Sequence, residues 1–140
     1  MATRQQLQQL AKLRLREAER LYASGLYDGA VYLCGYVVEL ALKARICKLL
    51  QLKNYPESGD IGRLFKTHNF DDLKVLAGLS QEITATKAPE LFNNWSIATL
   101  WKSEQRYLPQ GTSDKKKAQE VLASIKDDPN GVLKWLSRRW

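Results

Sequence analysis

The stretch GLYDGAVYLCGYVVELALKA, residues 25–44, decides the fold of this chain. It begins as a turn and continues as a helix whose apolar side chains cover well over half of the circumference. Such a helix needs neighbours on several sides, so it is predicted to lie at the centre of a helical bundle. Its narrow polar strip carries Asp28, Tyr32, Glu39 and Lys43.

The charged pair in this polar strip has two interpretations. Lys43 follows Glu39 by four residues, an order that suits the helix dipole and allows an ion pair. On a solvated face the pair contributes only a few tenths of a kcal/mol, whereas beside a large apolar face it can line a cleft. We predict the second case, with Glu39 at least half buried and Lys43 or Arg14 within ion-pair reach.

A first helix is predicted over residues 3–24, with Thr3 as its N-cap and a glycine just past its end. The central helix is predicted from an Asp28 N-cap to about residue 50, and the short connection makes the two an antiparallel hairpin. Arg14 lies on the apolar stripe of the first helix. Either its stem packs while the guanidinium reaches the edge, or it meets a buried carboxylate.

Further helical patterns follow the hairpin. Residues 51–67 contain proline and glycines and are predicted to form a mobile loop, or a loop with one short turn. Helices are predicted from about 67–69 to 79, from Pro89 to about Tyr107, and from 113–114 onward with an interruption at 127–131. No alternating pattern predicts a strand. The sequence thus predicts an all-α, up-and-down bundle of four to six helices, forming one domain over residues 1–140.

Composition limits the function classes. The 22 Lys and Arg against 15 Asp and Glu give a net charge of +7, which favours polyanionic partners and also serves solubility. The longest uncharged run in the central helix is about half of the roughly twenty residues that a membrane span needs. We expect no secretory signal, no membrane segment and a cytoplasmic location.

Two cysteines and one histidine leave little scope for metal or disulfide chemistry. Cys34 and Cys47 lie on one predicted helix, about 20 Å apart, which is beyond disulfide reach. With one histidine and no CxxC pair, the sequence contains no metal motif. We expect neither a metal nor a cofactor.

Three segments, taken in order, resemble a known family. They are YASGLYDGAVYLCGYVVELALKARI (22–46), THNFDDLKVL (67–76) and WKSEQRYLP (101–109). They are similar to the helix-turn-helix signature, the His-x-x-x-x-Leu segment and the Arg-Tyr-Pro-like segment of the HEPN domain family. Leu108 is inserted before the proline of the last segment. The resemblance covers about residues 7–135 and implies a helical domain associated with nucleotides and RNA.

The resemblance also implies partners. HEPN domains commonly dimerise, often beside a small nucleotidyltransferase. We therefore expect a non-catalytic module that forms a homodimer and binds a nucleotide, an RNA or a partner protein. Aromatic side chains on the fourth and last predicted helices are expected to supply dimer surface. The expected ligand-binding cleft comprises Arg14, Glu39, Lys43, His68, Arg106 and Tyr107.

The alternative is a metal-independent ribonuclease of a toxin–antitoxin or defence system. Ribonucleases in this family use an Arg and a His separated by four to six residues, and Arg63 and His68 have that spacing. His68 would act as acid or base and Arg63 would hold the phosphate. However, the family motif comes late in the domain, nearer Arg106, and no histidine follows Arg106. We expect Arg63 to lie in a flexible loop and His68 to face the bundle near Glu39.

Overall fold

Helices make up the regular structure of residues 2–101 and 103–140, which the computed structural model describes. The α-helices in this part of the chain are α1 (Arg4–Ala23), α2 (Tyr27–Leu49), α3 (Gly59–Phe65), α4 (Phe70–Leu76), α5 (Pro89–Ala98), α6 (Lys115–Lys126) and α7 (Val132–Ser137). A 3-10 helix, Ser103–Tyr107, lies between α5 and α6. The predicted all-helical fold is confirmed. There is one α-helix more than the predicted maximum of six, because residues 51–67 contain α3.

The hairpin of α1 and α2 forms as predicted. Thr3 caps α1 in a capping box with Gln6, in which each side chain bonds the backbone N–H of the other residue. Gly25, at a φ of 78°, provides the left-handed turn that follows α1. Helix α2 lies at the centre, packed against α1, α4, α5, α6 and α7. No helix in the described part of the chain is both long and apolar enough to cross a membrane.

Asp28 does not cap α2, contrary to the prediction. The helix begins at Tyr27, so Asp28 already lies in its first turn. Its carboxylate instead accepts hydrogen bonds from the backbone N–H groups of Gly111 and Ser113, both at 2.7 Å. The loop after the 3-10 helix is thereby tied to the start of α2.

The segment predicted as a mobile loop is anchored by two aromatic residues. Tyr55 is fully buried, and its hydroxyl donates to the carbonyl oxygen of Phe65 at 2.6 Å. Phe65, at the end of α3, packs edge-on against the Tyr55 ring with centroids 5.9 Å apart. Arg63 consequently lies on a helix, and its predicted position in a flexible loop is wrong.

Helix α5 is shorter than predicted. It begins at Pro89, as expected, but ends at Ala98 instead of continuing to Tyr107. Because α5 ends before Trp101, this residue can bury its ring against α2, where Gly35 presents no side chain. Burial of a large aromatic side chain outweighs the few helical hydrogen bonds lost.

The tryptophans pack mostly inside one chain. Trp95, Trp101 and Trp135 are all buried, and only Trp140 is partly accessible. Burial therefore places these three side chains in the core, whereas Phe92 and Tyr107, from the same predicted fourth helix, remain exposed.

Candidate functional site

A cleft of about 530 Å³ opens between the start of α4, the end of α5 and the 3-10 helix. It is lined by Lys66, Thr67, His68, Asn69, Phe70, Asp71, Thr99, Trp101 and Glu104. Its volume falls within the range of small-molecule sites. The lining is mostly polar at the rim, with two aromatic rings among it.

Glu39, on the central helix, stands behind the cleft. It is only 3% exposed, and its Oε1 is bonded to Nδ1 of His68. The Lys43 ammonium lies 3.6 Å from the same oxygen. The prediction of a buried Glu39 within ion-pair reach of Lys43 is confirmed. A buried carboxylate persists here because a hydrogen bond from His68 and the nearby charge of Lys43 compensate it.

The backbone before α4 positions His68. Asn69 caps α4, its side-chain oxygen accepting from the N–H groups of Asp71 and Asp72. The Thr67 hydroxyl oxygen accepts from the Asn69 N–H at 3.0 Å. These local bonds fix the chain on both sides of the imidazole, which faces α2 as predicted.

The hydrogen bond of His68 to Glu39 leaves the other ring nitrogen for the cleft. The His68 side chain is 56% exposed, and Nε2 has no protein partner in the described part of the chain. With Nδ1 donating to a carboxylate, the neutral ring presents Nε2 as an acceptor, and the protonated ring presents it as a donor. The imidazole is therefore oriented and accessible.

Lys43 pairs with Glu39 and does not line the cleft. Its side chain is 12% exposed, and its ammonium lies 5.0 Å from the centre of the Tyr55 ring. Desolvation by burial raises the pKa of Tyr55 above its ordinary value, so the phenol stays neutral. Lys43 thus compensates the buried charge of Glu39.

Aromatic side chains form the floor of the cleft. Trp101 lies against Tyr36 and Phe70, with ring centroids 5.1 and 5.8 Å away. Tyr36 shares a hydroxyl–hydroxyl hydrogen bond of 3.1 Å with Tyr32, and this bond is the main reason that its pKa rises to about 12. The Trp101 indole N–H is buried without a partner among the described residues.

The sequence also matches a known protein family over most of its length. The sequence model of the HEPN domain matches residues 5–127. This chain belongs to the HEPN domain family. No curated protein and no solved structure gave a match. The resemblance seen in three short segments is therefore confirmed over most of the chain, and it places the His68 cleft within the matched region of a HEPN domain.

Of the six residues predicted for the cleft of this HEPN domain, His68 lines it, Glu39 and Lys43 lie behind His68, and the other three stand apart. Glu39, Lys43 and His68 form the group described above. Arg14 instead pairs with Glu17 on its own helix at 2.6 Å and is partly exposed, which fits the interpretation with its guanidinium at the edge; its expected place in the cleft is wrong.

Arg106 and Tyr107, which the Arg-Tyr-Pro-like segment placed in the expected cleft, lie elsewhere. Arg106 and Tyr107 lie on the 3-10 helix, with the guanidinium carbon 4.8 Å from the centre of the Tyr107 ring. Both are exposed, and neither lines the cleft, which the same helix reaches through Glu104. The helix is tight and short, so successive side chains point in different directions.

The residues proposed for ribonuclease chemistry do not share the cleft. Arg63 is 84% exposed on α3 and lies 3.7 Å from Asp60, outside the residues that line the cleft. Cysteine chemistry has no support either, because burial raises the pKa of the Cys34 thiol to about 12.

Sequence reasoning missed Trp101 and Gly35 as site residues. Trp101 was assigned to the middle of a helix, although it follows the end of α5. A signal did exist, because a glycine inside an apolar helix marks a close approach by another group. The sequence offers no means of telling which side chain makes that approach.

Proposed function

We propose that this HEPN domain is a non-catalytic module that dimerises and binds a nucleotide, free or as a unit of RNA, in the His68 cleft. The supporting observation is the imidazole itself. It is half exposed at the cleft, and a buried carboxylate fixes its orientation. Because the imidazole is already oriented, binding a ligand group to it costs the protein little conformational entropy.

The rim of the cleft carries both signs of charge, since Asp71 and Glu104 line it together with Lys66 and His68, and this suits a ligand that has a phosphate as well as hydrogen-bond donors. His68 donates to a phosphate oxygen when protonated, and the exposed Lys66 adds a positive charge beside it. Thr67 and Asn69 offer hydroxyl and amide groups for a sugar or base. The chain's charge of +7 increases the local concentration of such anions.

Replacing His68 with alanine is expected to abolish ligand stabilisation. Thermal-shift measurements with nucleotides and short RNAs should identify a ligand that stabilises the parent protein by about 2.7 kcal/mol at 100 times its dissociation constant. His68→Ala should lose this stabilisation, because the oriented donor is gone. Arg63→Ala is the matched control and should retain it. No stabilisation by any nucleotide or RNA, or equal stabilisation of the His68 variant by the same mononucleotide, would contradict the proposal.

The second candidate function is the metal-independent ribonuclease, and the His68–Glu39 pair favours it. A carboxylate that holds Nδ1–H keeps Nε2 ready to accept a proton from a 2′-hydroxyl. The exposed position of Arg63 opposes its role as the phosphate-binding group. RNA cleavage by the parent protein that disappears in His68→Ala would replace the binding module with the enzyme.

The homodimer belongs to the same proposal. Ile61 and Leu64 stand three residues apart on α3 and are largely exposed, which is the pattern of a helix face that a partner covers. Light scattering of the 16.0 kDa chain should show twice that mass at high micromolar concentration. Ile61→Asp with Leu64→Asp should shift it to the monomer. A parent protein that is monomeric would contradict the proposal. A nucleotidyltransferase is a further candidate partner.

A further inference from the structure

The outer face of α1 carries a row of cations. Lys12, Arg16 and Arg20 follow one another at four-residue intervals, and all three are exposed. The opposite face of the helix carries the buried residues Leu7, Ala11 and Ala18. A four-residue step is about 6 Å along a helix, so the row is about 12 Å long.

The positive charge of this row is not compensated within the described part of the chain. Both acidic residues of α1 are engaged elsewhere. Glu17 pairs with Arg14 at 2.6 Å, and Glu19 pairs with Lys126 of α6 at 2.9 Å. No ion pair joins the three cations of the row to a carboxylate among the described residues. The Lys12 ammonium lies over the Trp140 ring, 5.6 Å from its centre, which does not neutralise its charge, so the row is available to an external anion.

We propose that this row binds the phosphate backbone of a single-stranded nucleic acid. Cations spaced along a straight helix can meet successive phosphates of one extended strand, and they release its counterions on binding. Two of the three are arginines, whose guanidinium groups hold phosphate through paired hydrogen bonds. Gln5 and Gln9 are exposed on the same helix and add amide donors for phosphate or base edges.

The composition of the face favours a nucleic acid over a lipid surface. The exposed residues of α1 are arginine, lysine and glutamine, together with one alanine at its end. A helix that lies in a membrane interface needs large exposed apolar side chains beside its charges, whereas Leu15, which lies next to Lys12 and Arg16, is partly buried against the core. A single strand also fits better than an RNA duplex, whose deep and narrow major groove excludes such a helix.

This surface is separate from the His68 cleft, since no residue of α1 lines the cleft. Binding at the row and binding in the cleft can therefore be tested independently. Binding at the row requires no particular base, whereas binding in the cleft depends on one oriented imidazole.

The salt dependence of RNA binding tests the row. Fluorescence anisotropy with a labelled single-stranded RNA of about 12 nucleotides gives the affinity at several salt concentrations. A triple variant, Lys12→Gln with Arg16→Gln and Arg20→Gln, should reduce the slope of log affinity against log salt by about 2, since each phosphate contact contributes about 0.7. Circular dichroism checks its folding, and Arg16→Gln alone should still reduce the slope by about 0.7.

A second triple variant provides the matched control. Lys115→Gln with Lys116→Gln and Lys117→Gln also removes three positive charges, but at the start of α6. This variant should leave the slope near that of the parent. Equal losses in both triple variants would show that only net charge matters and would overturn the proposal. An unchanged slope in the α1 variant would do the same, as would equally strong row-dependent binding to phosphatidylserine vesicles. His68→Ala should keep the parent slope, so failure of the cleft and failure of the row are distinguishable.

Discussion

Replacing Glu39 with alanine is expected to lower the free energy of unfolding by about 3 kcal/mol, measured by urea denaturation. The carboxylate is buried between His68 and Lys43, and its removal leaves the Lys43 ammonium nearly buried without its partner. Removing one member of a buried pair costs far more than the pair contributes in total, because the remaining charge stays desolvated. The imidazole also loses its orientation, so ligand stabilisation at the cleft should disappear.

Glu17→Ala is the matched control for this prediction. Glu17 also pairs with a cation on its own helix, but both side chains are partly exposed to solvent. Its loss should change stability by at most about 1 kcal/mol. Similar costs for the two variants would show that Glu39 is solvated in solution and would remove the support for an oriented His68.

Replacing Gly35 with alanine is expected to destabilise the protein by about 2 kcal/mol, although alanine is the better helix former by about 1 kcal/mol. A Cβ at this position would collide with the Trp101 ring, which lies directly on the α2 backbone. The ring must move, and the floor of the cleft moves with it. Urea denaturation should show the loss, and tryptophan fluorescence should show a more solvated indole.

Gly29→Ala tests the same substitution on the same helix without the collision. The nearest group to its new Cβ is Cδ1 of Leu21, at 3.2 Å, which is the mobile end of a flexible side chain. Its stability should remain within about 1 kcal/mol of the parent. If Gly35→Ala proves as mild as this control, Trp101 does not pack on α2 in solution.

Several features of the protein were predictable because they depend on nearby residues alone. The Thr3 cap and the glycine after α1 define that helix within one residue at each end. The all-round apolar character of α2 predicted its central position, and the four-residue spacing predicted the Glu39–Lys43 pair. The order of three short motifs was sufficient to indicate the HEPN family.

Other features were wrong or missed because they depend on residues far apart in the chain. Asp28 has good capping chemistry, yet backbone N–H groups more than eighty residues later take its carboxylate. Residues 99–101 continue a helical pattern, yet Trp101 gains more by packing on Gly35. Local propensity amounts to less than about 1 kcal/mol per residue, so a single buried aromatic ring can override it.

The sequence by itself determined the helical class, the family, the central helix and the presence of a charged pair within it. Only the tertiary structure decided that the pair is buried, that His68 completes it from twenty-nine residues away, and that Arg14 and Arg63 stand apart. The physical reason is that helical periodicity depends on neighbours within four residues, whereas burial of a charge depends on which distant segment covers it.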